Sequence, residues 1–127
     1  MQLTENFKST EFKCKDGTEV PPKYMDNVQE LADNLQVFRD AIGKPVYIVS
    51  GYRTVEYNER CGGAPKSQHL YAKAADIQVS GMAPNDVQDE VLRLINEGKM
   101  KQGGVGIYPT FVHYDIRGTK ARWGTRN

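Results

Sequence analysis

The sequence predicts an α+β domain, a small antiparallel sheet with flanking helices. Three observations carry this. Between Met25 and Ile42, apolar residues recur at spacings of three and four, the signature of a helix with one buried face. Short β-branched or aromatic runs follow, punctuated by glycine and proline. The last of these runs lie at hairpin-like spacing, which favours antiparallel pairing.

Taken in order, residues 1–20 are polar and irregular, with Phe7 and Phe12 as anchors and one helical turn over Ser9-Thr10-Glu11-Phe12. Pro21 and Pro22 open the long helix, whose stripe is Met25, Val28, Leu31, Ala32, Leu35, Phe38 and Ile42. Gly43 ends it and Pro45 prevents resumption. Val46-Tyr47-Ile48-Val49 reads as a buried strand. Thr54 caps a short helix over 55–60, and a loop runs from Cys61 to Lys66. A second strand covers 74–79. Pro84 starts another helix, with Val87, Val91, Leu94 and Ile95 as its stripe and Gly98 as its stop. Gly103 to Tyr108 is a glycine-rich approach to a strand, and 110–117 is the last strand. From Gly118 a basic tail surrounds Trp123, read as a solvated end packing one aromatic ring onto the body.

The 127 residues suit one domain, 1–127, with a single core. Seventeen basic against sixteen acidic side chains leave a net charge of +1, which argues against bulk nucleic acid as the partner. No apolar run approaches the roughly 20 residues of a membrane span, so no membrane insertion is expected. The first six residues are too polar for a secretory signal, so synthesis in the cytoplasm without a leader is expected. Cys14 and Cys61 form no CxxC pair, which excludes a finger-type cysteine zinc site. Two free thiols are expected, with a Cys14–Cys61 bridge as the alternative.

The chemistry-bearing residues are few. His69 follows a Gly/Pro/Ser loop, and Asp76 stands at a strand entrance seven residues later. Phe111, His113, Asp115 and Arg117 share one face of the last strand. Simple core is a poor account of that face, because each polar group would need a buried partner. Two imidazoles and a carboxylate match a catalytic zinc set with an open fourth position. Hydrogen-bonded histidines without a metal fit the same residues, and composition alone leaves both readings open. Arg53 leaves the end of a strand, where its planar fork can hold a carboxylate or carbonyl oxygen, or make a surface salt bridge. Gly103-Gly104-Val105-Gly106 lacks the Lys-Ser/Thr of a phosphate loop and opens no helix.

Four blocks carry a resemblance: Ser50-Gly51-Tyr52-Arg53-Thr54, Gly62 to His69, Ala74-Ala75-Asp76-Ile77, and Gly104 to Gly118. Together they resemble the zinc D-Ala-D-Ala carboxypeptidase family, metallopeptidases of the hedgehog/DD-peptidase fold, over about Leu3 to Trp123. The resemblance implies Zn2+ held by His69, Asp76 and His113, with Ser67, Tyr52 and Arg53 lining the substrate site. Two departures stand out. Ala72 replaces a glycine of the pattern, which is harmless unless that backbone is left-handed, and a methyl there could also narrow the cleft. Many relatives carry a catalytic base two or three residues before the last ligand, where this chain has Thr110 and Phe111. Asp115 is then the nearby carboxylate, either as base or as the group that orients a ligand.

The resemblance implies a zinc peptidase acting on peptidoglycan stem peptides, a monomer of phage or prophage endolysin type working at the bacterial cell wall. Arg53 and Asp115 are its candidate catalytic residues. The alternative is a non-catalytic, zinc-containing binding module of the same fold.

Overall fold

The computed structural model describes residues 1–126. Phe7 and Phe12 anchor the N-terminal segment in the core, and a single 3-10 turn covers Ser9–Phe12. Helix α1 (Met25–Ile42) buries Val28, Leu31, Ala32, Leu35 and Phe38, the face set by its three-four spacing, and ends at Gly43. Strand β1 (Val46–Ser50) leads to α2 (Val55–Arg60), whose first turn is capped by the Thr54 hydroxyl accepting from Tyr57 N. Strand β2 (Ala74–Val79), helix α3 (Pro84–Asn96), β3 (Gly104–Ile107), β4 (Val112–Asp115) and β5 (Ala121–Trp123) follow. No helix among the described residues is long and apolar enough to cross a membrane.

The five strands form one sheet in the order β1-β2-β4-β3-β5. Three pairings are antiparallel and β3–β5 is parallel, so the predicted antiparallel sheet carries one parallel edge. One sheet face, with Ile77, Val79, Val105, Val112 and Tyr114, joins α1 and α3 in the core. Alternation then sends Asp76, His113 and Asp115 to the other face.

Three expectations need correction. The run at 46–49 is an edge strand rather than a fully buried one, and Tyr47 is exposed. The last predicted strand is shorter because residues 108–111 make the hairpin turn, closed by Tyr108 N donating to Phe111 O at 3.0 Å. The tail holds a fifth strand. Its three residues are too few for a periodic signal, and it is held by pairing with β3. Cys14, buried, and Cys61, exposed, are both free, as expected.

Ala72 is left-handed, with φ 57° and ψ 32°, and is buried. An L-residue there costs about 1–2 kcal/mol, and burial of the methyl returns about 0.8 kcal/mol of it. That methyl packs into the core and does not line the cleft described below, so it does not narrow it.

Candidate metal centre

A row of paired positions crosses the whole sheet: Ser50, Asp76, His113, Gly106 and Trp123 stand side by side on β1, β2, β4, β3 and β5. The register therefore sets Asp76 directly opposite His113. His69 reaches the same point from a 3-10 turn, Gln68–Tyr71, whose start is capped by the Ser67 hydroxyl accepting from His69 N at 3.2 Å. Arg53 N donates to His69 O at 3.0 Å, which lashes this turn to the end of β1.

The three buried side chains offer ligand atoms that all lie within 4.8 Å of one another. Their hydrogen bonds fix which atoms these are. His69 Nδ1 lies 2.6 Å from Gly51 O, an acceptor only, so Nδ1 carries the proton and Nε2 is left with a lone pair. His113 Nε2 lies 2.7 Å from Asp115 Oδ2, so it donates there and frees Nδ1. Nε2 of His69 and Nδ1 of His113 then face Asp76 Oδ1 at 3.4 and 3.2 Å. Two nitrogen lone pairs and a carboxylate oxygen converging in a buried place fit a divalent cation.

Two of the three groups favour the form that donor set requires, and His113 runs the other way. Burial pushes the His69 pKa below its ordinary value and so favours the neutral ligand form. Burial alone would raise the Asp76 carboxyl, but the two histidines beside it outweigh burial and hold it below the usual carboxylate range, in the ionised form a metal needs. Burial would likewise lower His113, yet its hydrogen bond to Asp115 and the nearby Asp76 carboxylate raise it, so metal binding there competes with a proton. Asp115 is fully buried, and its desolvation is overcome by His113, Arg117 and the Gly104 amide, which hold it below the usual carboxylate range.

The other predicted site residues are spread around this centre. Arg53 Nη2 donates to Asp76 Oδ2 at 3.3 Å, while Nη1 and Nε reach Asn58 Oδ1 and Ser50 Oγ, also at 3.3 Å. Asp115 lies behind His113 and accepts from Gly104 N and from Arg117. Ser67 caps the His69 turn and does not line the metal cleft. Tyr52 is buried beside Tyr24, and together with Arg53 it lines a neighbouring cavity of about 500 Å³. Arg53 also lines the metal cleft, about 480 Å³, and so stands between the two.

Sequence reasoning missed the aromatic wall of this cleft. The Trp123 ring lies 4.9 Å from the His113 ring between centroids, and Tyr108 stacks on Phe111 at 4.5 Å. The glycines on β3 make this possible. A Cβ on Gly106 would stand 2.2 Å from Trp123 Nε1, and one on Gly104 would stand 2.3 Å from Asp115 Oδ2. Glycines two apart on one strand face were the available signal, since they leave room for side chains from neighbouring strands. Gly106→Ala is accordingly expected to swing the indole off His113 at a cost of about 1–3 kcal/mol. Denaturant unfolding and the emission of Trp123, the sole tryptophan, would check this. An unchanged spectrum would refute the close packing.

Comparison with known proteins agrees with this geometry. The family model for peptidase M15 matches residues 3–115. A peptidoglycan L,D-endopeptidase, MepK of Escherichia coli (strain K12), is 34% identical over 102 residues, 73% of this chain and 52% of that protein. The Shigella flexneri MepK matches to the same extent. A zinc D-Ala-D-Ala carboxypeptidase of Streptomyces albus G is 46% identical over 44 residues, 34% of this chain and 17% of that protein. The chain spans about half the length of the MepK relatives it matches. With the family match extending over most of its length, the chain belongs to the peptidase M15 family.

Proposed function

We propose that residues 1–127 act as one zinc peptidase domain that hydrolyses peptide bonds in the stems or cross-links of bacterial peptidoglycan. The observation that carries this reading is the convergence of His69 Nε2, Asp76 Oδ1 and His113 Nδ1, with the second nitrogen of each imidazole already committed. Membership of the M15 family and the wall-directed names of its relatives supply the substrate class. The endolysin-type, phage-associated setting rests on the sequence resemblance alone.

Zinc bound there supplies Lewis acidity that polarises a carbonyl oxygen and acidifies water. The protein's own part is orientation. Gly51 O and Asp115 hold the two rings with their lone pairs forward, and Arg53 fixes the far oxygen of Asp76. Arg53, one of two arginines lining the cleft with Arg117, also presents positive charge to a substrate carboxylate or to the oxyanion formed on attack. Asp115 already accepts from His113, Gly104 and Arg117, which supports an orienting role over that of proton acceptor.

A non-catalytic wall-binding module is the second reading. One observation favours it: Asp76 is the sole carboxylate among the described residues lining the metal cleft, and it is a ligand. Digestion of purified sacculi by the zinc-loaded chain, followed by mass spectrometry of the released muropeptides, separates the two. New peptide termini that vanish on chelation are expected. Zinc uptake and binding to sacculi without products would support the binding module instead.

Zinc should also stabilise the fold. A ligand at about 1,000 times its Kd adds about 4 kcal/mol, roughly 10–20 °C in Tm for a chain of this size. Scanning calorimetry with and without chelator checks it. An unchanged Tm would remove the metal from the proposal.

A further inference from the structure

We infer that Tyr108, held in place by Trp123, is a substrate-contacting residue of the cleft, and that its phenol donates a hydrogen bond to a carbonyl or carboxylate oxygen of the bound peptide. This rests on the peptidase reading and adds a binding residue to it.

The Tyr108 ring is fixed from three directions. It stacks on Phe111 with centroids 4.5 Å apart and planes only 14° from parallel. Its backbone N closes the β3–β4 hairpin through Phe111 O. Its hydroxyl oxygen accepts from Trp123 Nε1 at 2.8 Å. Trp123 is itself constrained, because it lies over Gly106, beside His113 and with the Arg117 guanidinium 5.4 Å from its ring.

The direction of the Trp123 bond decides the chemistry. An indole N–H can only donate, so the phenol oxygen is the acceptor. The phenol proton is then left over, and no acceptor for it is present among the described residues. Tyr108 and Trp123 line the same cleft as His69, Asp76 and His113. A partly exposed, orientationally fixed donor beside a metal centre suits an oxygen of the ligand drawn to that centre. The family match ends at residue 115, so Trp123, which imposes this polarity, lies beyond it.

The test uses the zinc-loaded full chain, its Tyr108→Phe variant and soluble muropeptides from purified sacculi. Rapid mixing followed by Trp123 emission reads binding before turnover, and steady-state kinetics give KM and kcat. Tyr108→Phe keeps the stack on Phe111 and removes only the hydroxyl. Muropeptide binding about tenfold weaker, with KM raised in step and zinc affinity unchanged, is the expected result. Trp123→Phe, which frees the phenol to rotate, should weaken binding in the same direction, read by KM. Equal affinity and KM for wild type and Tyr108→Phe, with wild type cleaving its substrate, would overturn this inference and leave the peptidase reading intact. A zinc-loaded wild type that neither binds nor cleaves muropeptides would overturn both.

Discussion

Arg53→Lys is expected to lower turnover of wall peptides by about 10²–10³-fold, while zinc affinity changes by less than about tenfold. The guanidinium spans three elements at once. Nε reaches Ser50 at the end of β1, Nη1 reaches Asn58 on α2, and Nη2 reaches Asp76 on β2. Asn58 is in turn tied to the loop through its side-chain amide and Ala64 O at 2.9 Å. A lysine ammonium is a single point on a flexible stem and cannot occupy three such directions from one plane. It would leave the loop wall of the cleft untethered and Asp76 Oδ2 without its fixed partner. The ligand atoms His69 Nε2, Asp76 Oδ1 and His113 Nδ1 all remain, which is why zinc is retained. Competition with a chromogenic chelator gives the zinc affinity, and muropeptide release gives the turnover. Unchanged turnover in the lysine variant would reduce Arg53 to a structural tether.

The parts of the molecule that were legible in the sequence are those encoded locally. The apolar stripe on α1, the Thr54 cap of α2 and the alternation on β4 each depend on residues a few positions apart, so the chain states them directly. The candidate trio of His69, Asp76 and His113 followed from the order of the motifs that carry the resemblance rather than from local periodicity. Asp76 and His113 come together only by the β2–β4 register, 37 residues apart in the chain. Strand β5 was not legible, because it exists by pairing with β3 and its three residues have no pattern of their own. The glycines at 104 and 106 read only as a glycine-rich approach to a strand. Only the register shows that one makes room for the Asp115 carboxylate and the other for the Trp123 indole. Tyr47 misled for a related reason: β-branched and aromatic residues mark strands in general, and the residue types alone do not say which strand lies at the edge.

Asp115→Asn is expected to weaken zinc binding by about 10–100-fold, and to lower turnover at limiting zinc by as much. The hydrogen bonds around this side chain leave no place for an amide. Oδ2 accepts from His113 Nε2 and Arg117 Nη2, both at 2.7 Å. Oδ1 accepts from Gly104 N at 2.9 Å and from Arg117 N and Nε at 3.1 and 2.9 Å. Whichever oxygen becomes an NH2 group, a donor then meets donors in a fully buried position, a conflict of about 1–3 kcal/mol. With the NH2 in the Oδ2 position, His113 relieves the clash by giving up the proton on Nε2. That proton moves to Nδ1, the atom that faces Asp76 and the metal position, and the ligand lone pair is lost. With the NH2 in the Oδ1 position, the Gly104 amide loses its acceptor and β3 is disturbed instead. The first outcome acts directly on metal affinity and the second on stability, so the measurement should include the Tm of the zinc-free protein. A proton-accepting Asp115 would behave differently: the variant would bind zinc as the wild type does, and turnover at saturating zinc would fall by about 10²–10⁴-fold. That result would overturn the orienting role and make Asp115 the base.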